Sequence, residues 1–162
     1  MAEKHILSVT VANRPGVLSR ITGLFSRRNF NINSLNVGET EDPEFSRMTI
    51  EVDADSRTLD QVKKQLNKLI DVIRIDELDR SDIVDRDLAL IRVKSTRESR
   101  SEIIQIVDTF RGKIVDISID SMMIEATGTV NKIEALIELL GDFGIKDIVR
   151  TGIIALNRGV IS

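Results

Sequence analysis

Ser46-Arg47-Met48-Thr49-Ile50-Glu51 can be laid over Asp120-Ser121-Met122-Met123-Ile124-Glu125. Both stretches read as strands with apolar side chains at alternate positions, the period that sets one face of a strand against a core. Each is followed by a short polar stretch, a helix-period run and an isoleucine-rich strand. Two copies of one unit are the economical reading.

Outward from the first copy, Lys4 to Ala12 reads as a strand, and a helix runs from near Gly16 to about Arg28 on Val17, Leu18, Ile21, Leu24 and Phe25. Asn31 to Gly38 alternates imperfectly, an acidic loop covers Glu39 to Glu44, and Phe45 to Asp53 is a strand with Met48, Ile50 and Val52 on one face. Thr58 or Ser56 is placed to cap the next helix, whose stripe is Leu59, Val62, Leu66, Leu69 and Ile70. Val72 to Leu78 closes the unit. After the charged stretch 79–87, read as a linker, the order recurs. Leu88 to Val93 is a strand; Ser99 or Ser101 caps a helix through Ile103, Ile104, Ile106, Val107 and Phe110. Lys113 to Ile119 and Met122 to Thr127 form a hairpin, Ile133, Leu136, Ile137 and Leu140 mark the last helix, and Ile145 to Leu156 closes the copy.

The order βαββαβ, given twice, predicts an α+β protein of two tandem ferredoxin-like domains, 1–78 and 88–162, each an antiparallel sheet with two helices on one face. Met48, Met122 and Met123 are expected in the sheet cores. The opposite face of each sheet has no helix to cover it, so a second sheet or a second copy of the chain is expected there, and with it a homodimer or higher homo-oligomer.

A length of 162 residues suits two small domains, and five Phe with no Trp or Tyr make the core aliphatic. The net charge of −3 gives no general attraction to nucleic acid. No apolar run approaches the roughly 20 residues of a membrane helix, so no membrane association and a cytoplasmic location are expected. The absence of Cys removes thiolate chemistry and disulfides. His5, the single histidine, reads as a strand-end side chain, which excludes His-rich metal sites and most Ser-His triads. No metal-ligand spacing, Walker pattern or strand-linked G-x-G-x-x-G occurs, and no carboxylate pair stands out as acid and base. Arg27-Arg28 beside Phe30 reads as a solvated helix end rather than a nucleic-acid patch.

Asn13-Arg14-Pro15-Gly16 joins the first strand to the first helix. Pro15 suits the start of a turn or helix, and Gly16 allows backbone conformations and close approach that a Cβ would block. Free N–H groups at the positive end of a helix suit a small anion such as a carboxylate. Asn13 can meet an ammonium or that carboxylate, and Val17 and Leu18 supply apolar contact. That combination describes an amino-acid site. The competing reading is a plain helix-entry turn in which Asn caps, Pro starts and Gly relieves strain. The second copy connects the same elements through Lys94-Ser95-Thr96-Arg97-Glu98-Ser99, without Asn, Pro or Gly, so the fold does not require the special turn. Asn29, Asn31 and Asn33 at the start of the next strand read as turn chemistry, or as an interface if two sheets meet at that edge. An unrelated possibility is a small hydrolase with an Arg and Asn cradle, which Arg14 and Asn31 could imitate.

The chain resembles the small, regulatory subunits of acetolactate synthase, its N-terminal half resembling the ACT domain, a ferredoxin-like amino-acid sensor, and its C-terminal half an ACT-like domain. The resemblance is carried by the segments 13–20, 23–28, 31–35, 42–49, 110–116 and 150–152, of which the Ser-Arg-Met-Thr run 46–49 and Phe110-Arg111-Gly112 are the specific ones. Asn29 stands where a Gly is usual, and Ala12 where an acidic residue is usual. The resemblance implies a chain with no catalytic residues, cofactor or metal of its own. It would activate a large catalytic subunit carrying thiamine diphosphate, Mg and FAD, and confer feedback inhibition by valine or a related branched-chain amino acid. It further implies an effector site of Asn13, Pro15, Gly16, Val17 and Leu18 from one chain with Asn31 and Ile32 from another. A free-standing amino-acid sensor acting on some other partner is the alternative.

Overall fold

In the computed structural model, which describes residues 3–28 and 30–159, Leu7, Val9 and Val11 project from one side of β1 (Glu3–Ala12) and are all but fully buried. Opposite them on β3 (Phe45–Ala54), Met48, Ile50 and Val52 do the same. The strand period of two leaves these side chains no other face. Two helices close over them, α1 (Val17–Arg27) through Val17, Ile21, Leu24 and Phe25, and α2 (Ser56–Asn67) through Leu59, Val62 and Leu66. With β2 (Asn31–Glu39) and β4 (Val72–Leu78) at the edges, the first sheet is antiparallel in the order β2-β3-β1-β4.

The second unit repeats the plan. β5 (Ile83–Lys94), β6 (Lys113–Ile117), β7 (Ser121–Gly128) and β8 (Ile145–Arg150) run in the order β6-β7-β5-β8. α3 (Arg100–Thr109) and α4 (Val130–Gly141) bury Ile103, Val107, Ile133, Leu136 and Leu140 against Ala89, Ile91, Val93, Met122, Ile124 and Ala126. The two ferredoxin-like units expected from the repeat are therefore present, each with its own core. A short strand β9 (Ile154–Asn157) follows β8.

Several local expectations change. The stretch 79–87 is not a free linker: it holds a 3-10 turn at Arg80–Asp82 and the first five residues of β5. Charged side chains hid that strand, because Asp87 is buried with Arg150 as partner. The compact units are 3–84 with 153–159, and 85–152, so the chain's last described segment groups with the first unit. The predicted strand 145–156 breaks at Thr151-Gly152, where Gly152 has φ 80. Asp55, not Thr58 or Ser56, caps α2 by accepting the Thr58 N–H at 2.7 Å. α2 ends before Ile70, which is 93% exposed. Ser99 occupies the cap position of α3, but its hydroxyl accepts the Thr96 N–H at 2.8 Å instead of capping. Met48 and Met122 are core residues, whereas alternation turns Met123 to the opposite face of β7.

The far face of the first sheet is also less bare than its sequence suggests. Ile6, Ser8, Thr49 and Glu51 are buried within the single chain. The Asn36 amide donates to the Ile153 carbonyl at 2.9 Å, and Glu51 accepts from Arg80 at 2.9 Å. In the second unit Leu88 and Val149 remain exposed.

Asp87 anchors the end of the second sheet. Its carboxylate accepts from Arg150 Nε at 2.9 Å, from the Gly152 N–H at 3.2 Å and from the Thr151 hydroxyl at 3.4 Å. Removing it leaves the partly buried Arg150 guanidinium and the Gly152 N–H without their acceptor. Asp87→Ala is expected to lower stability by about 2–3 kcal/mol in chemical denaturation, and Asp82→Ala, at an exposed turn, by less than about 0.5 kcal/mol.

Candidate functional site

The Asn13–Gly16 turn leaves β1 and enters α1 through a left-handed glycine, Gly16, at φ 84 and ψ −9. No side chain caps the helix. Asn13 is engaged elsewhere, its amide donating to the Pro43 carbonyl at 2.9 Å and to Glu39 at 3.3 Å, while its own N–H reaches the Glu44 carbonyl at 2.8 Å. Asn13 is therefore not the cap that the plain helix-entry reading makes it, while Gly16, at positive φ, relieves strain as that reading has it. Asn13 ties the acidic 40–44 loop to the turn. The Val17 N–H makes a long bond of 3.4 Å to the Arg14 carbonyl. Among the described residues the Gly16, Leu18 and Ser19 amides have no backbone acceptor, as expected for the first turn of a helix.

One turn further on, Arg20 forms an ion pair with Asp71, whose side chain is 6% exposed. The Asp71 carbonyl in turn accepts the Ala12 N–H at 2.8 Å. A Cβ on Gly16 would lie 3.5 Å from Arg20 Nη1, so the guanidinium stands directly beside the turn. Arg20 is already paired with Asp71 and Asn13 holds the acidic loop nearby, so the attraction for a carboxylate at this turn comes from the uncapped amides and the helix N-terminus, with Arg20 Nη1 as the adjacent donor. Arg20 and Asp71 were not singled out by sequence reasoning. The signal available was position: Arg20 is one helical turn beyond Gly16, whereas Asp71 is brought near only by the β1–β4 pairing.

Pro15 and Leu18 are exposed at the turn, and Val17 is buried in the first core. The other predicted residues lie elsewhere. Asn31 pairs with Asp53, which pairs with Lys4 at the start of β1, while Asn13 follows the end of that strand. At about 3.3 Å per residue the two groups are separated by roughly 30 Å along the sheet. One chain does not bring Asn31 to the Gly16 turn, nor to Arg14, so no Arg-Asn cradle forms within it. Ile32 packs partly against its own core. Asn29 lies outside the described residues.

At the Asn31 end, Asn33 donates to Asp53 at 3.0 Å, and Asn31 donates to Asn33 at 3.0 Å and to Asp53 at 3.4 Å. The Asn33 amide, with help from Asn31 and the charge of Lys4, holds the Asp53 carboxyl below its usual range. His5 donates to the Ala54 carbonyl at 3.1 Å, a strand-end contact. Among the described residues no group of three or more His, Asp or Glu is placed to hold a metal ion, and no helix is long and apolar enough to cross a membrane.

Residues 7–74 match the ACT domain of the acetohydroxyacid synthase small-subunit type, and residues 86–159 match the family described as the small subunit of acetolactate synthase. The probable acetolactate synthase small subunit of Methanothermobacter thermautotrophicus is 51% identical over 158 residues, covering 97% of this chain and 94% of that protein. That of Bacillus subtilis is 50% identical over 157 residues, covering 96% and 91%.

The chain belongs to the acetolactate synthase small subunits.

The crystal structure of the small subunit from Thermotoga maritima, 43% identical, superimposes with a TM-score of 0.90 and covers 98% of this chain and 99% of that one. The ACT domain and the second small-subunit domain correspond to the two copies read from the repeat. The left-handed glycine entry is particular to the ACT domain, although α3 likewise starts without a side-chain cap. The matching α3 entry has a right-handed residue, Ser99, at φ −87.

The pH behaviour of Asp53 follows from its donors. Because its folded value is lowered, its contribution to stability is complete above the unfolded value near 3.9 and is lost as pH falls through the lower folded value. Asn33→Ala removes the largest cause. The Asp53 carboxyl should then titrate at higher pH in a carbon-detected NMR titration, with Asp55, held down by Thr58, unmoved.

Proposed function

We propose that this small subunit is the non-catalytic regulator of acetolactate synthase, activating the large thiamine-diphosphate-dependent subunit and conferring feedback inhibition by valine. Thiamine diphosphate, Mg and FAD belong in this reading to the catalytic partner. The effector carboxylate meets the uncapped amides of α1 beside Arg20. Its ammonium meets the Asn13 carbonyl oxygen, which has no partner among the described residues, and its side chain lies against Leu18. The observation that supports this reading is the left-handed glycine turn, with free helix-start amides beside Arg20, at a connection that the second unit makes without glycine.

Because Asn31 lies roughly 30 Å from the turn within one chain, this reading takes the two walls of the site from two chains. In a homodimer the Asn31 end of one ACT domain supplies the second wall for the Gly16 turn of the other. A ligand that touches two chains binds one arrangement of the pair more tightly than another, and only that difference can be transmitted. A tenfold preference corresponds to about 1.4 kcal/mol, within reach of one charge-assisted contact. Discrimination among valine, leucine and isoleucine depends on a methylene or a branch, worth about 1–3 kcal/mol.

Mixing the purified chain with the catalytic subunit should raise acetolactate formation, and valine should suppress the increase. Gly16→Asp places a carboxylate against Arg20 where the effector's would sit, so activation should persist while valine sensitivity disappears. Gly16→Ala separates backbone strain from charge. The methyl has room, its cost is the left-handed backbone at about 1 kcal/mol, and valine inhibition should weaken without vanishing. A Gly16→Asp variant that keeps full valine sensitivity would falsify the site. Absence of any activation by the wild-type chain would remove the regulatory reading.

A further inference from the structure

The helical layer of the ACT domain is charged out of keeping with the chain. α1 and its caps carry Arg20, Arg27 and Arg28 and no carboxylate; α2 and its caps carry Arg57, Lys63, Lys64 and Lys68 against Asp55 and Asp60. The whole chain has a net charge of −3. In the second unit the sign reverses, with Arg100 and Lys132 facing a surplus of Glu102, Asp108, Glu134, Glu138 and Asp142 on the equivalent helices and their caps. The same fold is thus built with either sign, and packing does not require the basic one.

Two of the seven cations are neutralised, Arg20 by Asp71 and Lys63 by Glu77 at 3.1 Å. Among the described residues the other five form no salt bridge, and all five are exposed. Arg28, Lys64 and Lys68 converge with Gln61, Gln65 and Asn67 on an open groove of about 410 Å³ that no carboxylate lines. Helix dipoles account for part of this, because Arg27, Lys64 and Lys68 sit at C-terminal ends where cations are favoured. They do not account for Arg57 in the first turn of α2, and α3 and α4 have no basic residue in their last turns.

We propose that this layer is a docking surface for a carboxylate-rich segment of the catalytic subunit, seated in the groove across the C-terminal ends of α1 and α2. The inference rests on the regulatory role proposed above. The groove faces the negative ends of two helix dipoles and offers no helix-start amides, which opposes a compact, highly charged polyphosphate more than carboxylates dispersed along a segment and held by Arg28, Lys64 and Lys68. It carries no aromatic side chain on which a base could stack. Gln61, Gln65 and Asn67 donate and accept, which suits a peptide backbone between acidic side chains. Such a surface speeds association and orients the partner, and its strength falls with salt.

The test compares wild type, the triple variant R28E/K64E/K68E and the control E134K/E138K for binding to the purified catalytic subunit across a salt series. The expected result is a wild-type affinity that falls with salt, and a triple variant about tenfold weaker at low salt with a shallower salt dependence. The control should bind like wild type, and all three should share one thermal midpoint within a few degrees. Equal affinity and salt dependence for wild type and the triple variant would overturn the surface while leaving the regulatory reading in place. Failure of wild type to bind would overturn both. Calorimetry with inorganic tripolyphosphate provides the remaining arm: saturable binding that the triple variant loses would make the groove a phosphate site and overturn the acidic-segment assignment.

Discussion

Each half of this chain depends on one constraint: a pleated sheet whose alternate side chains are apolar must be covered on that face. In the ACT domain the cover is α1 and α2 over Leu7, Val9, Val11, Met48, Ile50 and Val52. The connection from β1 to α1 must then turn back within four residues. Gly16 makes that reversal in a left-handed conformation, and the helix begins without a side-chain cap. The uncapped amides are a by-product of that reversal, and Arg20, one turn along and paired with Asp71, stands beside them. Site and fold are therefore the same local event.

The second unit shows what the constraint leaves free. It closes an equivalent core with Ser99 at the helix start and no glycine, and with acidic helices in place of basic ones. Its stability leans on a different device, the buried Asp87 carboxylate gathering Arg150, Thr151 and Gly152 where β8 ends. The architecture is thus indifferent to both turn chemistry and surface sign, so these two features are free to differ between the copies.

Most of the secondary structure was legible because apolar residues recur at the periods of strands and helices, and the repeat confirmed the order. The misses share a cause. β5 began five residues early because its first turns of sequence are charged, and a buried ion pair such as Asp87 with Arg150 looks like solvated sequence until both ends are in place. Met123 was misplaced by a single residue of register, which in a strand reverses the face. Ile70 fitted the helical stripe but falls beyond the last turn of α2.

The sequence by itself determined the two-unit plan, the special turn at Asn13–Gly16 and the family, because local periodicity and contiguous motifs survive without coordinates. The tertiary structure alone decided that Asn13 holds a loop instead of capping, that Arg20 stands beside Gly16 with Asp71 behind it, and that Asn31 lies at the far end of the sheet. The reason is distance in space. Asp71 and Arg20, or Asp87 and Arg150, are far apart along the chain and meet only through strand pairing, whereas Asn13 and Asn31, close in sequence, are held at opposite ends of the sheet by the helix α1 between them.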